Sequence, residues 1–209
     1  MPSRPRAPRI RPKAGYHHGD LRRQLVIAGR RLVEREGADA FRLADAAKLA
    51  GVSPAAPYRH FKDRQALLAA VADDGFTRLA ERAVAAVVHH EPGSLDAVCA
   101  VGRAYIDFAC AETNVFRLMF SPQASGGPEE GPSDEGAAAY GVLIEQVAAH
   151  LELADDAPAV LGTALSLWMY VHGFASLLVD NQLGVGRLEI DVAAMLRANG
   201  ARMLEAFVT

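Results

Sequence analysis

Apolar residues recur along this chain every three or four positions, the period of an α-helix, and turn residues break the pattern at intervals. Leu21, Leu25, Ala28 and Leu32 predict a first helix starting near Asp20 and stopping at Gly37. Leu43, Ala46, Ala47 and Ala50 predict a shorter second one that ends at Gly51. After Val52, the run Ser53-Pro-Ala-Ala-Pro-Tyr-Arg-His-Phe61 predicts a third, with Ser53 as N-cap and Pro54 at the first helical position. A second proline, Pro57, keeps it short. Asp63 is placed to cap a long fourth helix with the stripe Leu67, Leu68, Val71, Leu79, Ala83 and Val87, closed by Pro92-Gly93. Ser94 opens a fifth carrying Leu95, Val98, Tyr105 and Phe108, and a short sixth runs from Val115 to Phe120. The Gly-, Pro- and acid-rich interval Ser121 to Gly136 predicts a mobile surface loop. Ala137–His150, Ala157–Asp180 and Asp191–Phe207 supply three more helices. No strand pattern appears, so the expected fold is all-α.

Two short helices joined by Gly51-Val52-Ser53 and flanked by longer ones suit a helix-turn-helix. The third helix is then the recognition element, short because only its beginning must reach base edges in a major groove about 12 Å wide. Charge supports an anionic partner for this end alone. The net charge of −3 conceals +9 over residues 1–64 and −12 over residues 65–209. Residues 1–15, with five basic residues, four prolines and no acid, predict a flexible basic arm.

Composition removes other classes. At 209 residues and 51% hydrophobic the chain is that of a soluble globular protein. Ala157 to Val179 carries no charge and is long enough to span a bilayer. Its acidic flanks, Asp155, Asp156 and Asp180, and its internal Gly, Ser, Thr and His residues argue instead for burial by the core on one side and a partner subunit on the other. Cys99 and Cys110, three turns apart on one predicted helix, cannot pair within it and read as two buried thiols. With no signal-peptide core after Met1, the cytoplasm is expected. The pairs His17-His18 and His89-His90 lack the third ligand a metal needs, and no phosphate loop, nucleophile elbow or carboxylate dyad suggests an enzyme. Neither metal nor cofactor is expected.

The run LADAAKLAGVSPAAPYRHFKDRQALLAAV (43–71) resembles the DNA-binding domain of TetR-type bacterial transcriptional regulators. Tyr16-His-His-Gly-Asp-Leu-Arg22 is similar to the first-helix entry in one branch of that family. Trp168-Met-Tyr-Val-His-Gly-Phe-Ala-Ser-Leu-Leu178 resembles the Trp/His-Gly helix of the same branch's C-terminal domain. The resemblance implies a basic arm (1–15), a helix-turn-helix domain (16–64) and a ligand-binding and dimerisation domain (65–209). It also implies a homodimer on a palindromic double-stranded operator, released by a small-molecule effector. Carried onto matching positions, Ala55, Ala56, Tyr58 and Arg59 would face bases and adjoining backbone, beside Ser53. His60, Lys62 and Arg64 would contact phosphates. The family's usual Ser or Thr cap and following Arg are replaced here by Arg42 and Ala44, so the basic group has moved. Arg42 is either a phosphate contact from the helix start or an ordinary solvated residue.

For the effector, Tyr105, Phe108, Phe116, Phe120, Tyr140, Trp168 and Met169 are candidate wall residues of an apolar pocket. His172, four residues after Trp168 on the same face, either donates to a ligand or satisfies a buried partner. An apolar or weakly polar ligand is expected to tilt the fourth helix, with Gly75 as its point of flexure, and so lower operator affinity. Repression is the family's commoner mode; ligand-dependent activation is the alternative, and non-specific DNA coating by the basic arm is the reading from another class.

Overall fold

A computed structural model describes residues 18–124, 133–182 and 190–206 of the chain. The predicted arm, Tyr16 and His17 of the entry motif, much of the predicted loop (125–132) and Phe207 lie outside those residues. Among the described residues every regular element is helical: α1 (His18–Glu36), α2 (Leu43–Leu49), α3 (Arg64–Val87), α4 (Leu95–Ala111), α5 (Thr113–Met119), α6 (Asp134–Leu151), α7 (Pro158–Val179) and α8 (Val192–Glu205). Oxygen-bearing residues cap three of these helices, Asp63 and Ser94 as the sequence predicts. Asp63, Ser94 and Asp191 each accept a hydrogen bond from the N–H three residues on, at Ala66, Ala97 and Ala194.

The predicted third helix does not form. Between Gly51 and Phe61 the chain makes a turn and then a single 3₁₀ turn, Pro57–Arg59. The cause is Pro57, because an α-helix opening at Ser53 needs its first hydrogen bond from residue 57, which has no N–H. The chain uses the tighter i→i−3 pattern instead: Ala56 N–H to Ser53 O at 3.0 Å, Arg59 N–H to Ala56 O at 3.2 Å, His60 N–H to Pro57 O at 2.9 Å. Phe61 N–H also reaches Pro57 O at 2.9 Å, which seats the Phe61 ring in the core. Gly51, at φ +71, makes the reversal before this segment, a conformation L side chains avoid.

A second correction concerns α6, which begins three residues earlier than its sequence pattern suggests. Ser133 caps it by accepting from Gly136 N–H, and Asp134 and Glu135 place negative charge at the positive end of the helix. Those gains outweigh the cost of Gly136 in the first turn.

α3 is the axis of the molecule. It packs on α1, then on α4, α5 and α6, and its buried residues run from Leu67 to Ala83. One apolar cluster extends from Leu25, Phe41 and Phe61 through Val71 to Phe108 and Val171, so head and body share a core. A second, around Val147, Val160 and Ala164, fills the far end of the body. The turn between α3 and α4 is pinned there: Gly93, at φ +74, donates to Gln146 Oε1 and accepts from His150 Nδ1 at 2.8 Å. It lies so close to α6 that a Cβ would stand 2.6 Å from the Ala149 and His150 backbone.

Gly75 is a close-packing position, where an added Cβ would meet Met119 Sδ at 2.7 Å and Val115 Cγ1 at 3.2 Å; its missing side chain lets α5 approach α3. One further expectation changes. Cys99 is half-buried and Cys110 is exposed. The buried stripe of α4 ends on Phe108 and Ala109, and one residue further turns about 100° away from it.

Candidate nucleic-acid interface and ligand cavity

The segment from Ser53 to Arg64 sorts its side chains by face. Pro57 and Phe61 point inward, with the Arg22 guanidinium 5.3 Å above the Phe61 ring. Ser53, Ala55, Tyr58, Arg59 and Lys62 are exposed, Tyr58 by 63%, and Ala56 and His60 are half-buried between them. A small apolar surface, a phenol and two cations are therefore exposed on this one short segment. Arg42 is also exposed, at the N-cap of α2, and makes no capping hydrogen bond with its side chain. Arg64 is different. Its Nε donates to Phe41 O at 2.9 Å and a terminal nitrogen donates to Ala38 O, tying the α1–α2 connection to the start of α3. Its guanidinium positions the head from within.

The body contains a cavity of about 860 Å³ bounded by α3, α4, α6, α7, α8 and the end of α5. Four of the eight predicted wall residues line it: Tyr105, Phe120, Tyr140 and Trp168. The others are placed elsewhere. Phe108 is fully buried further along α4, beneath the Arg78 and Arg82 guanidinia at 5.6 and 5.0 Å. Phe116 sits behind the wall, edge-on to Tyr105 at 5.7 Å. Met169 faces outward, 57% exposed, because it is one residue and about 100° past Trp168. His172 lies behind Phe120, ring centroids 4.6 Å apart, and its Nδ1 shares a 2.7 Å hydrogen bond with the Tyr105 hydroxyl. That bond gives it a protein partner. Burial holds its pKa below the ordinary imidazole value.

Sequence reasoning missed Phe76, Leu143 and Asp73 as wall residues. Phe76 had a signal, since it falls four after Ala72 and three before Leu79 on the stripe of α3. Asp73 had none, because an acid beside Asp74 on a long helix reads as solvated surface.

Head and body also meet at α5. The Glu34 carboxylate of α1 accepts from the Val115 N–H at 3.0 Å, and Asn114 Nδ2 donates back to Glu34 O at 2.9 Å. An acid from one element thus caps the helix of another. Nearby, Arg30 and Arg78 converge on Asp74, and Arg78 and Arg82 on Glu112, linking α1, α3 and the α4–α5 junction.

Among the described residues, a helical head with an exposed polar segment after α2 and a helical body enclosing a cavity have the architecture of DNA-binding regulators. The family comparisons narrow this. Residues 25–71 match the family of bacterial regulatory proteins called the tetR family, and residues 98–203 match the tetracyclin repressor-like C-terminal domain. The chain belongs to the TetR family of transcription regulators. Among solved structures it is similar to a protein with unknown function from Rhodococcus sp. RHA1, at 28% identity over 93% of this chain and 98% of that one, with a TM-score of 0.73. A tetR-family transcriptional regulator from Streptomyces coelicolor shares the fold at 20% identity, covering 90% of this chain and 79% of its own, TM-score 0.63. Another from Rhodococcus sp. RHA1 does so at 18% identity over 92% and 98%, TM-score 0.62. No curated protein matches the chain.

Proposed function

We propose that the protein is a homodimeric, cytoplasmic repressor that leaves a palindromic operator when a small molecule occupies the cavity of its body. The observation that carries this reading is α3, a single helix whose first residue follows the 53–63 segment and whose later turns wall the cavity. Residues 16–64 act as the DNA-binding head and 65–209 as the sensing and dimerising body. Tyr58, Arg59, Ser53, Ala55 and Ala56 meet bases and adjoining backbone, and His60, Lys62 and Arg42 meet phosphates. Arg64 holds the head's own geometry. The dimer forms through α7 and α8, supported by Leu161, Leu165 and Met169, which stand at four-residue intervals and are exposed in the single chain.

In a two-fold dimer the recognition segments must meet successive major grooves about 34 Å apart. A ligand that prefers a different arrangement of α3 and α5 spoils that spacing without touching DNA, and a coupling of about 1–3 kcal/mol is typical. α5 is suited to carry the change, because Met119 and the adjoining Phe120 reach the cavity while its first turn is held by Glu34 of the head. The test is competition binding of the full-length protein. One palindromic duplex should stay bound against excess unrelated DNA, and light scattering at micromolar concentration should give a dimer; equal binding to all duplexes, or a stable monomer, overturns the reading.

A further inference from the structure

We propose that the cavity takes a lipophilic organic cation, a protonated amine or quaternary ammonium on an apolar body, with Asp73 as its charge partner. This rests on the reading that the cavity is the effector site, and it replaces a neutral ligand with a charged one. Asp73 is the only charged residue on the described cavity wall, where no Lys, Arg or His appears. A carboxylate or phosphate ligand would therefore lose its hydration and gain no counter-charge. A cation meets the opposite situation.

The same cavity wall carries a chain of aromatic rings. Phe76 follows it by three residues on α3, one turn along the same side. Phe120 packs edge-on against Phe76 with centroids 5.5 Å apart, Trp168 lies 6.4 Å from Phe120, and Tyr140 lies 5.7 Å from Trp168. Such ring faces attract a desolvated ammonium but offer nothing comparable to an anion. Asp73 itself is poorly placed as a free anion. Burial pushes its carboxyl up, Glu135 at the start of α6 pushes it further, and the Ser133 hydrogen bond and Arg22 only oppose this. A cation bound in the cavity would meet a carboxylate whose ionised form its surroundings disfavour, and would favour that form. A metal ion does not account for the pair, since the described residues contain no group of three ligating side chains.

The chain's single Trp, Trp168, stands in the wall and reports occupancy by its fluorescence. The full-length protein is titrated with dodecyltrimethylammonium, dodecanol and dodecanoate, three probes of one chain length, each below its micellar concentration. The expected order is cation, alcohol, anion, with the cation about tenfold tighter than the alcohol. Asp73→Asn should reduce the cation to the affinity of the alcohol and leave the alcohol unchanged. The same variant should melt at a higher temperature at pH 7. A raised carboxyl pKa penalises the fold above the ordinary carboxylate range and not below it, so removing the charge helps at neutral pH. Glu135→Gln, which leaves Asp73 in place, should weaken the cation by a smaller factor and serves if Asp73→Asn does not fold. Dodecanoate binding as tightly as the ammonium, or Asp73→Asn leaving the cation's affinity unchanged, overturns the ligand class while sparing the cavity as a site. Failure of all three probes to alter Trp168 fluorescence overturns the cavity reading together with it.

Discussion

The head and the body are built from the same helical pattern but put their working residues on opposite sides of it. In the head, Phe41, Phe61 and Leu25 close a solid core, and the residues with chemistry, Tyr58, Arg59 and Lys62, stand outside. In the body, Phe120, Tyr140 and Trp168 face an unfilled interior, and the outer face of α7 is apolar. A surface that meets DNA must be polar and can be read from exposure alone. A cavity that receives an apolar ligand is lined by the same residue types as a core, and only the absence of partner atoms distinguishes it. This difference predicts how the two regions respond to truncation.

The largest effect is expected at Phe61. Phe61→Ala removes a buried ring from the small head core and should cost about 3–5 kcal/mol in urea unfolding, with operator binding lost alongside. Trp168→Ala, on a wall that already lacks contacts on one side, should cost about 1–2 kcal/mol and leave operator affinity intact in the absence of ligand. Equal costs at the two positions would mean the cavity is filled by the protein itself.

Arg64 and Lys62 sharpen the same contrast within the head. Arg64→Ala strands the Phe41 and Ala38 carbonyls and should destabilise by about 1–3 kcal/mol. Lys62→Ala should change stability by less than about 0.5 kcal/mol but lower the slope of log affinity against log salt by about one. An Arg64 variant that lowers the slope and keeps its stability would return that residue to the phosphates.

At the junction, Glu34→Ala uncaps α5 and should cost about 1 kcal/mol, with faster amide exchange at Val115 and Phe116 than in α4. Unchanged exchange there would remove α5 as the link between the two regions.

The smallest effect is a pH dependence in the body. Burial depresses the His172 pKa below its ordinary 6.5. The unfolded chain thus takes up the proton first, and stability should fall as pH drops below that value and level off below the depressed one. His172→Phe should flatten this part of a thermal-melt series between pH 7 and 5. A head-only melting transition that keeps the full dependence would assign it elsewhere.

Most of the architecture was legible in the sequence, because helix period and capping are local. Asp63, Ser94 and Asp191 sit next to the N–H groups they satisfy, so their roles needed no knowledge of the fold. The outer face of residues 53–62 was legible for a related reason: a short polar-and-small segment between two apolar stripes has nowhere to point but outward. Even there the local rule failed once, where Pro57 lacks the N–H that an α-helix from Ser53 requires. What tertiary structure alone decided are the relations between distant residues. Arg64 finds carbonyls 23 and 26 residues earlier in the chain. Glu34 caps a helix some 80 residues later. Gly75 serves the approach of Met119, and Asp73 becomes part of a cavity wall only when α6, α7 and α8 close around it. Periodicity states which face of a helix is turned inward; it carries no information about what stands opposite, or whether anything does, and that depends on packing across the whole chain.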